Sequence, residues 1–331
     1  MATNTALNLR RLRQNSLIRD LVCEYRVSVQ QMIQPLFVVE GLQNREPVIG
    51  LTGTYRETPE SLLNTIEQDL KVGVTKFLLF GVPAHKKLCD FDSSFTERQI
   101  QSIRKCFGKE VFLGVDVCLC SSTLHGHCGV LNAEGDHIEN QDTVDELVQV
   151  ALRYAEAGAD CVAPSDMMDG RIGVIRRSLD EAGLDRVLLM SYSAKFHSKY
   201  YGPFRMAADS APKGNLILKD RATYQIHPAC PRDAYLSSLR DAEEGADILM
   251  VKPGLPYLDV LSKLSQDIQK PWAVYEVSGE YAGIELMAQH GLVQGPAAHV
   301  EAWTAFIRAG ASIIITYGAR FAKQYLEQFQ S

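Results

Sequence analysis

Residues 242–253 read AEEGADILMVKP, a helical end joined through Gly245 to an unbroken apolar run and then to Lys252. A glycine just past a helical pattern fits a C-cap. A run of consecutive apolar residues, rather than an alternating one, suits a parallel strand covered on both faces. The junction recurs at 155–166 (AEAGADCVAPSD) and 307–317 (IRAGASIIITY). Working outward, comparable runs lie at 33–40 (IQPLFVVE), 76–82 (KFLLFGV), 111–118 (VFLGVDVC), 187–193 (VLLMSYS) and 273–278 (AVYEVS). With 160–166, 248–253 and 312–317 they make eight strand candidates, separated by amphipathic stretches such as 59–72, 143–157 and 296–309. Such βα alternation predicts an α/β fold, a (β/α)8 TIM barrel. The alternative is a doubly wound open sheet, but no Gly-rich dinucleotide fingerprint follows the first strand.

A ninth candidate, TYQI at 223–226, sits in the long connection after Lys195. Connections of that length usually carry function, so a lid or substrate-binding insertion is expected at about 197–232. Residues 1–30 precede the first strand and form an extended N-terminal arm, expected to pack on another subunit. Residues 31–331 make one catalytic barrel, with no linker dividing them.

The chain has 331 residues with a formal charge of −6, which argues against nucleic acid or an anionic membrane as its main partner. No run is long enough to span a membrane, and the polar start MATNTALNLRRLRQ lacks a signal-peptide core. A cytoplasmic address is therefore expected. In a reducing compartment the eight cysteines read as metal ligands or buried thiols rather than disulfides.

Barrel enzymes place their reacting groups at the C-terminal strand ends. Lys195 lies just past the fifth run and Lys252 ends the sixth. Burial and a second ammonium nearby both lower an amine's pKa, and a neutral amine can attack a ketone to form an imine. Either lysine alone could simply cap a helix or pair with Asp166 or Asp259. At the end of the third run stands Cys118-x-Cys120-x7-Cys128. Three thiolates suit a soft ion, zinc above all, with a fourth position open for catalysis. A closed structural site completed by His125 or His127, and redox-active thiols, are the other readings. Asp116, Ser165, Asp166, Asp169, Ser278, Glu280 and Tyr317 share the same face, while Arg205, Arg221 and Gln225 lie in the insertion. Arginines above a cavity suit bidentate capture of a carboxylate.

The segments GVDVCLC…HGHCG, APSDMMDGR, SYSAKF…YYGPFR, DRATYQ, LMVKP, VSGEY and IITY resemble, in order and spacing, those of porphobilinogen synthases, also called 5-aminolevulinate dehydratases. The match runs from about residue 8 to the C-terminus. The resemblance implies that Lys252 forms an imine with the first 5-aminolevulinate and Lys195 with the second. It implies that Ser278 and Tyr317 hold the carboxylate of the first, and Arg205, Arg221 and Gln225 that of the second. A zinc on Cys118, Cys120 and Cys128 would orient the second substrate near Asp116 and Ser165. Two waters leave per porphobilinogen, the pyrrole precursor of haem. A homo-octamer with wrapped arms is likewise implied.

Magnesium-activated members carry a Glu where this chain has Ser237, so no allosteric magnesium is expected. The segment APKGNLILKD is longer than the common pattern, and YQIHPAC replaces the frequent YQxxPAN. A Schiff-base aldolase would need a Gly-rich phosphate loop near the last strands, which is missing. A scaffold that kept only the barrel would be free to lose a lysine, yet both are present.

Overall fold

The computed structural model describes residues 9–213 and 217–330. Eight strands run parallel and close on themselves: β1 (Met32–Val39), β2 (Lys76–Val82), β3 (Phe112–Val117), β4 (Cys161–Pro164), β5 (Leu188–Lys195), β6 (Ile248–Lys252), β7 (Trp272–Tyr275) and β8 (Ile313–Ile315). Closure comes from β8 pairing with β1, with Met32 opposite Ile314 and Ile33 opposite Ile315. The intervening helices are α1 (Pro59–Lys71), α2 (Ser94–Phe107), α3 (Asn140–Glu156), α4 (Arg171–Glu181), α5 (Pro231–Glu243) and α6 (Leu258–Asp267). Two helices, α7 (Ser278–Gln289) and α8 (Gly295–Arg308), separate β7 from β8, and α9 (Ala322–Gln330) ends the described chain. This is the (β/α)8 barrel expected from the runs.

The three Gly-Ala junctions act as read. Gly158, Gly245 and Gly310 have φ of 110°, 105° and 106°, a left-handed region costly for any side chain with a Cβ. Strand residues sort into two cores. Leu249 and Val251 of β6 pack outward against the helices, whereas Ile248 and Met250 face the barrel interior with Ile33, Phe37, Leu78, Cys161 and Ile315. A two-faced strand of this kind is apolar at most positions, which is why near-continuous runs mark it.

One element has no sequence signal: the antiparallel pair Glu46–Pro47 and Tyr55–Glu57, which lies beside β1. Strands of two or three residues are too short to show any periodicity. The TYQI run is not a barrel strand; Ile226 makes an isolated bridge to Phe196. Before β1 the chain forms a short helix, Ser16–Leu21, whose Leu17 and Leu21 are 81% and 80% exposed. Part of the arm (residues 1–8) and part of the long insertion segment (214–216) lie outside the described residues. No helix among the described residues is long and apolar enough to cross a membrane.

Candidate active site

On four strands the inward positions are apolar low in the barrel and reactive at the top. On β3 they run Phe112, Gly114, Asp116; on β4 and just beyond it, Cys161, Ala163, Ser165; on β6, Ile248, Met250, Lys252. On β8 they run Ile313, Ile315, Tyr317. β5 breaks this alternation. Ser191 pairs with Leu249 and Ala194 with Val251, so β5 carries one extra residue. The bulge reverses the parity of the residues beyond it. Met190 and Tyr192 face inward before it, Ala194 and Phe196 face outward after it, and Lys195 is therefore turned into the barrel beside Lys252.

The two lysines share one cavity with Asp116, Cys120, Ser165, Arg205 and Arg221, closed by Tyr201 and Phe204. Lys195 Nζ donates to the carbonyl oxygen of Ser165. Lys252 Nζ stands in a box of aromatic rings, 4.0 Å from the Tyr275 centroid, 5.0 Å from Tyr192 and Phe204, and 5.5 Å from Tyr201. Burial first, and the charge of Lys195 second, bring Lys252 down to about 7. Burial likewise raises Asp116 to about 6, with Cys120 adding to the rise. An amine that is half neutral near pH 7 beside a carboxyl able to exchange a proton is a pair suited to imine chemistry.

The sulfurs of Cys118, Cys120 and Cys128 lie within 4.8 Å of one another. Hydrogen bonds from Cys118 and Cys128 hold the Cys120 thiol well below its usual range, so it takes the first negative charge. No histidine nitrogen joins this group among the described residues. His127 spends both ring nitrogens, on the Tyr224 hydroxyl at 3.1 Å and the Leu218 carbonyl at 3.2 Å. His125 Nδ1 accepts the His127 N–H at 3.1 Å. His125 Nε2 is buried without a protein partner but does not lie with the sulfurs, so the geometry gives three converging sulfurs, which fit a soft cation. Cys230 is exposed and remote from the group, 3.9 Å from His227 Nδ1.

From the long insertion, Tyr201, Phe204, Arg205 and Arg221 line the cavity. Arg205 sits on the short helix Gly202–Ala207. Arg221 Nη2 donates to the Ser210 carbonyl at 2.5 Å and to the Gly126 carbonyl at 3.0 Å, joining this segment to the cysteine loop. Several buried polar atoms here have no protein partner: Nε and Nη2 of Arg205, Nε of Arg221, both amide atoms of Gln225, Oδ1 of Asp116 and the hydroxyl of Tyr192. Unsatisfied buried polar atoms are rare in folded proteins, and a concentration of them marks a place built for a polar ligand.

Ser278 and Tyr317 belong to the same interior but do not line the lysine cavity. Ser278 Oγ accepts the Phe204 N–H at 3.1 Å and donates to the Tyr200 carbonyl at 3.3 Å. Tyr317 shares a 3.2 Å hydrogen bond with Tyr275. Asp166 is also absent from the cavity, being buried against Arg171. Asp169 is exposed and pairs with Arg240. Sequence reasoning missed the aromatic box. Tyr192 lies inside the SYSAK motif and Tyr201 and Phe204 inside YYGPF, but only the bulge and the folded-over segment reveal that they face Lys252.

A family model described as delta-aminolevulinic acid dehydratase matches residues 6–326. The Bacillus subtilis delta-aminolevulinic acid dehydratase is 38% identical over 323 residues, 96% of this chain and 98% of its own length. That of Helicobacter pylori is 39% identical over 327 residues, with 97% and 98% covered. The solved structure of the Toxoplasma gondii enzyme, in complex with the reaction product porphobilinogen, superposes with a TM-score of 0.91 at 38% identity, covering 96% of this chain and 90% of that one.

Proposed function

Because the chain belongs to the delta-aminolevulinic acid dehydratase family, we propose that it condenses two molecules of 5-aminolevulinate to porphobilinogen with loss of two waters. The observation that carries the reading is the single cavity holding both lysines, a cysteine of the three-thiol group and two arginines with unpaired N–H groups. A substrate with a ketone, an amine and a carboxylate finds a partner for each group there.

In this reading Lys252, neutral in part near pH 7, attacks the ketone of the first substrate, and Lys195 forms the second imine. Asp116 takes up and returns protons at the reacting carbons and nitrogens. Arg205, Arg221 and Gln225 fix the carboxylate of the second substrate, each offering atoms that lack a protein partner. Ser278 and Tyr317 receive that of the first, Ser278 by exchanging its hydrogen bonds to the covering segment for bonds to substrate. Cys118, Cys120 and Cys128 would hold zinc, which supplies Lewis-acid polarisation of the second substrate when bound. Ser165 positions Lys195 through its carbonyl oxygen.

Magnesium has no role in the proposal. Arg240 already places a cation between Asp169 Oδ1, 2.5 Å away, and Ser237 Oγ, 3.4 Å away. The arm is proposed to cover its exposed leucines, Leu9, Leu12, Leu17 and Leu21, on a neighbouring copy within a homo-octamer.

The direct test is to incubate purified protein with 5-aminolevulinate and assay the pyrrole. Absence of pyrrole from the zinc-loaded protein would sink the reading. Chelation is expected to lower the rate on the order of 100-fold. Zinc should restore it and magnesium should not; undiminished activity after full metal removal would leave the lysines but overturn the metal. A second expected result concerns pH. The neutral form of Lys252 is the nucleophile, so imine formation by the first substrate, trapped with borohydride across the pH range, should rise with pH through about 7 and then level. A midpoint near that of free lysine would contradict it.

A further inference from the structure

Glu280 is buried, 5% exposed, and no lysine or arginine pairs with it among the described residues. Its carboxylate instead accepts three backbone N–H groups, from Val277 at 2.7 Å, Gly254 at 3.2 Å and Leu255 at 2.5 Å. The first of these closes the N-terminal turn of α7, in which Ser278 is the first residue and Glu280 the third. The other two reach to another strand end. Pro253 has no N–H, so Gly254 and Leu255 offer the first two backbone donors after Lys252. One carboxyl group therefore satisfies the first two N–H donors of the turn leaving β6.

The same turn is pinned from behind, since a Cβ on Gly254 would lie 2.6 Å from the Phe306 ring. Helix α7 is pinned from above, since a Cβ on Gly279 would lie 2.6 Å from the Tyr200 carbonyl oxygen. The result is a rigid connection running from the backbone of Lys252 through Glu280 to Ser278, and from Ser278 to Tyr200 and Phe204.

We infer that Glu280 is a positioning residue for the reaction: it fixes the turn after Lys252 against the helix bearing Ser278, and so holds the lysine inside its aromatic box. The inference rests on the reading of Lys252 as the imine-forming lysine. A buried carboxylate bonded only to N–H groups on two strand ends sets the spacing between those ends. Small displacements of a reacting group carry large rate costs.

The test separates this role from helix capping. Glu280→Asp keeps the carboxyl group and the short-range bond to the Val277 N–H, but is one methylene too short to span to Gly254 and Leu255. Wild type and variant are treated with levulinate, the carbon skeleton of 5-aminolevulinate without its amine, then with borohydride. Labelling of Lys252 is followed by mass spectrometry across pH, beside thermal melting. Glu280→Asp, which leaves the Gly254 and Leu255 N–H groups without their acceptor, should melt below the wild type but still fold, and should label Lys252 roughly ten-fold more slowly at temperatures where it is fully folded. Its pH midpoint should shift upward, because a lysine released from the box regains water. Glu280→Gln, which sets an NH2 group against N–H donors, should lose more, and it carries the same test if the aspartate variant does not fold. Labelling of both variants at the wild-type rate and midpoint would overturn the inference. Failure of the wild type to label at Lys252 would instead remove the reading of that lysine on which it rests.

Discussion

Replacing Lys252 by methionine is expected to lower pyrrole formation by about 10⁴-fold or more, some 5.5 kcal/mol of lost barrier reduction. Methionine has nearly the length of lysine and no charge to bury, and the rings of Tyr192, Tyr201, Phe204 and Tyr275 already form an apolar wall around the Nζ. The substitution should therefore fold, and should even relieve the burial that brings the lysine down to about 7. Linkage gives the sign. An amine whose pKa is depressed on folding costs stability wherever the unfolded chain is protonated and the folded one resists protonation. Lys252→Met should gain on the wild type as pH falls from about 10 toward 7, and the gain should level below that. Loss of activity with retained or raised melting temperature is the expected pair of readings. Activity within ten-fold of the wild type would refute the role of Lys252.

The second large effect falls on stability. Arg171, wholly buried, bridges Asp166 at 3.4 Å and Asp241 at 3.3 Å, and Ser191 Oγ donates to Asp241 at 2.6 Å. Arg171→Met leaves two buried carboxylates without this guanidinium and should cost roughly 3–5 kcal/mol. Asp241 keeps its contact with Arg240, but Asp166 has no other cation within ion-pair distance among the described residues. Burial already raises Asp166, and removing Arg171 raises it further. A carboxyl raised on folding contributes most at low pH and loses that contribution as pH rises through its folded pKa. The deficit of Arg171→Met, measured by urea unfolding, should thus be smallest in acid and widen toward neutrality. A deficit independent of pH would show that lost packing, not the buried charges, dominates. The network also bears on the site, because Asp166 accepts the Met168 N–H at 2.7 Å and steadies a turn in which Met167 has a φ of 79°. The residue before that turn, Ser165, receives the Lys195 ammonium.

The parts legible in the chain share a physical cause. Barrel strands touch helices on one face and the interior on the other, so their runs are predominantly apolar on both. Helix ends needed glycine at 158, 245 and 310 because the backbone turns left-handed there. Both signals are local. Lys252 was readable for the same reason, as the first polar residue after such a run. Arg171 stood in the sequence only as the last residue of the APSDMMDGR motif, with no sign of its burial, since an arginine on an amphipathic helix is ordinarily solvated; its pairing with Asp166 and with Asp241, seventy residues away, explains that burial.

Sequence alone determined the barrel, the order of its strands and the residue types available at their upper ends. Tertiary structure decided which of those residues meet. Parity along β5 would point Lys195 away from Tyr192, and a single extra residue between Ser191 and Ala194 turns both inward. The three sulfurs converge because a loop of the third unit folds back beneath Arg221, and the amine of Lys252 loses its proton affinity because rings from β5, β7 and the covering segment exclude water from it. Strand formation is dictated by near neighbours in the chain, whereas orientation, desolvation and charge are set by neighbours that only the closed barrel brings together.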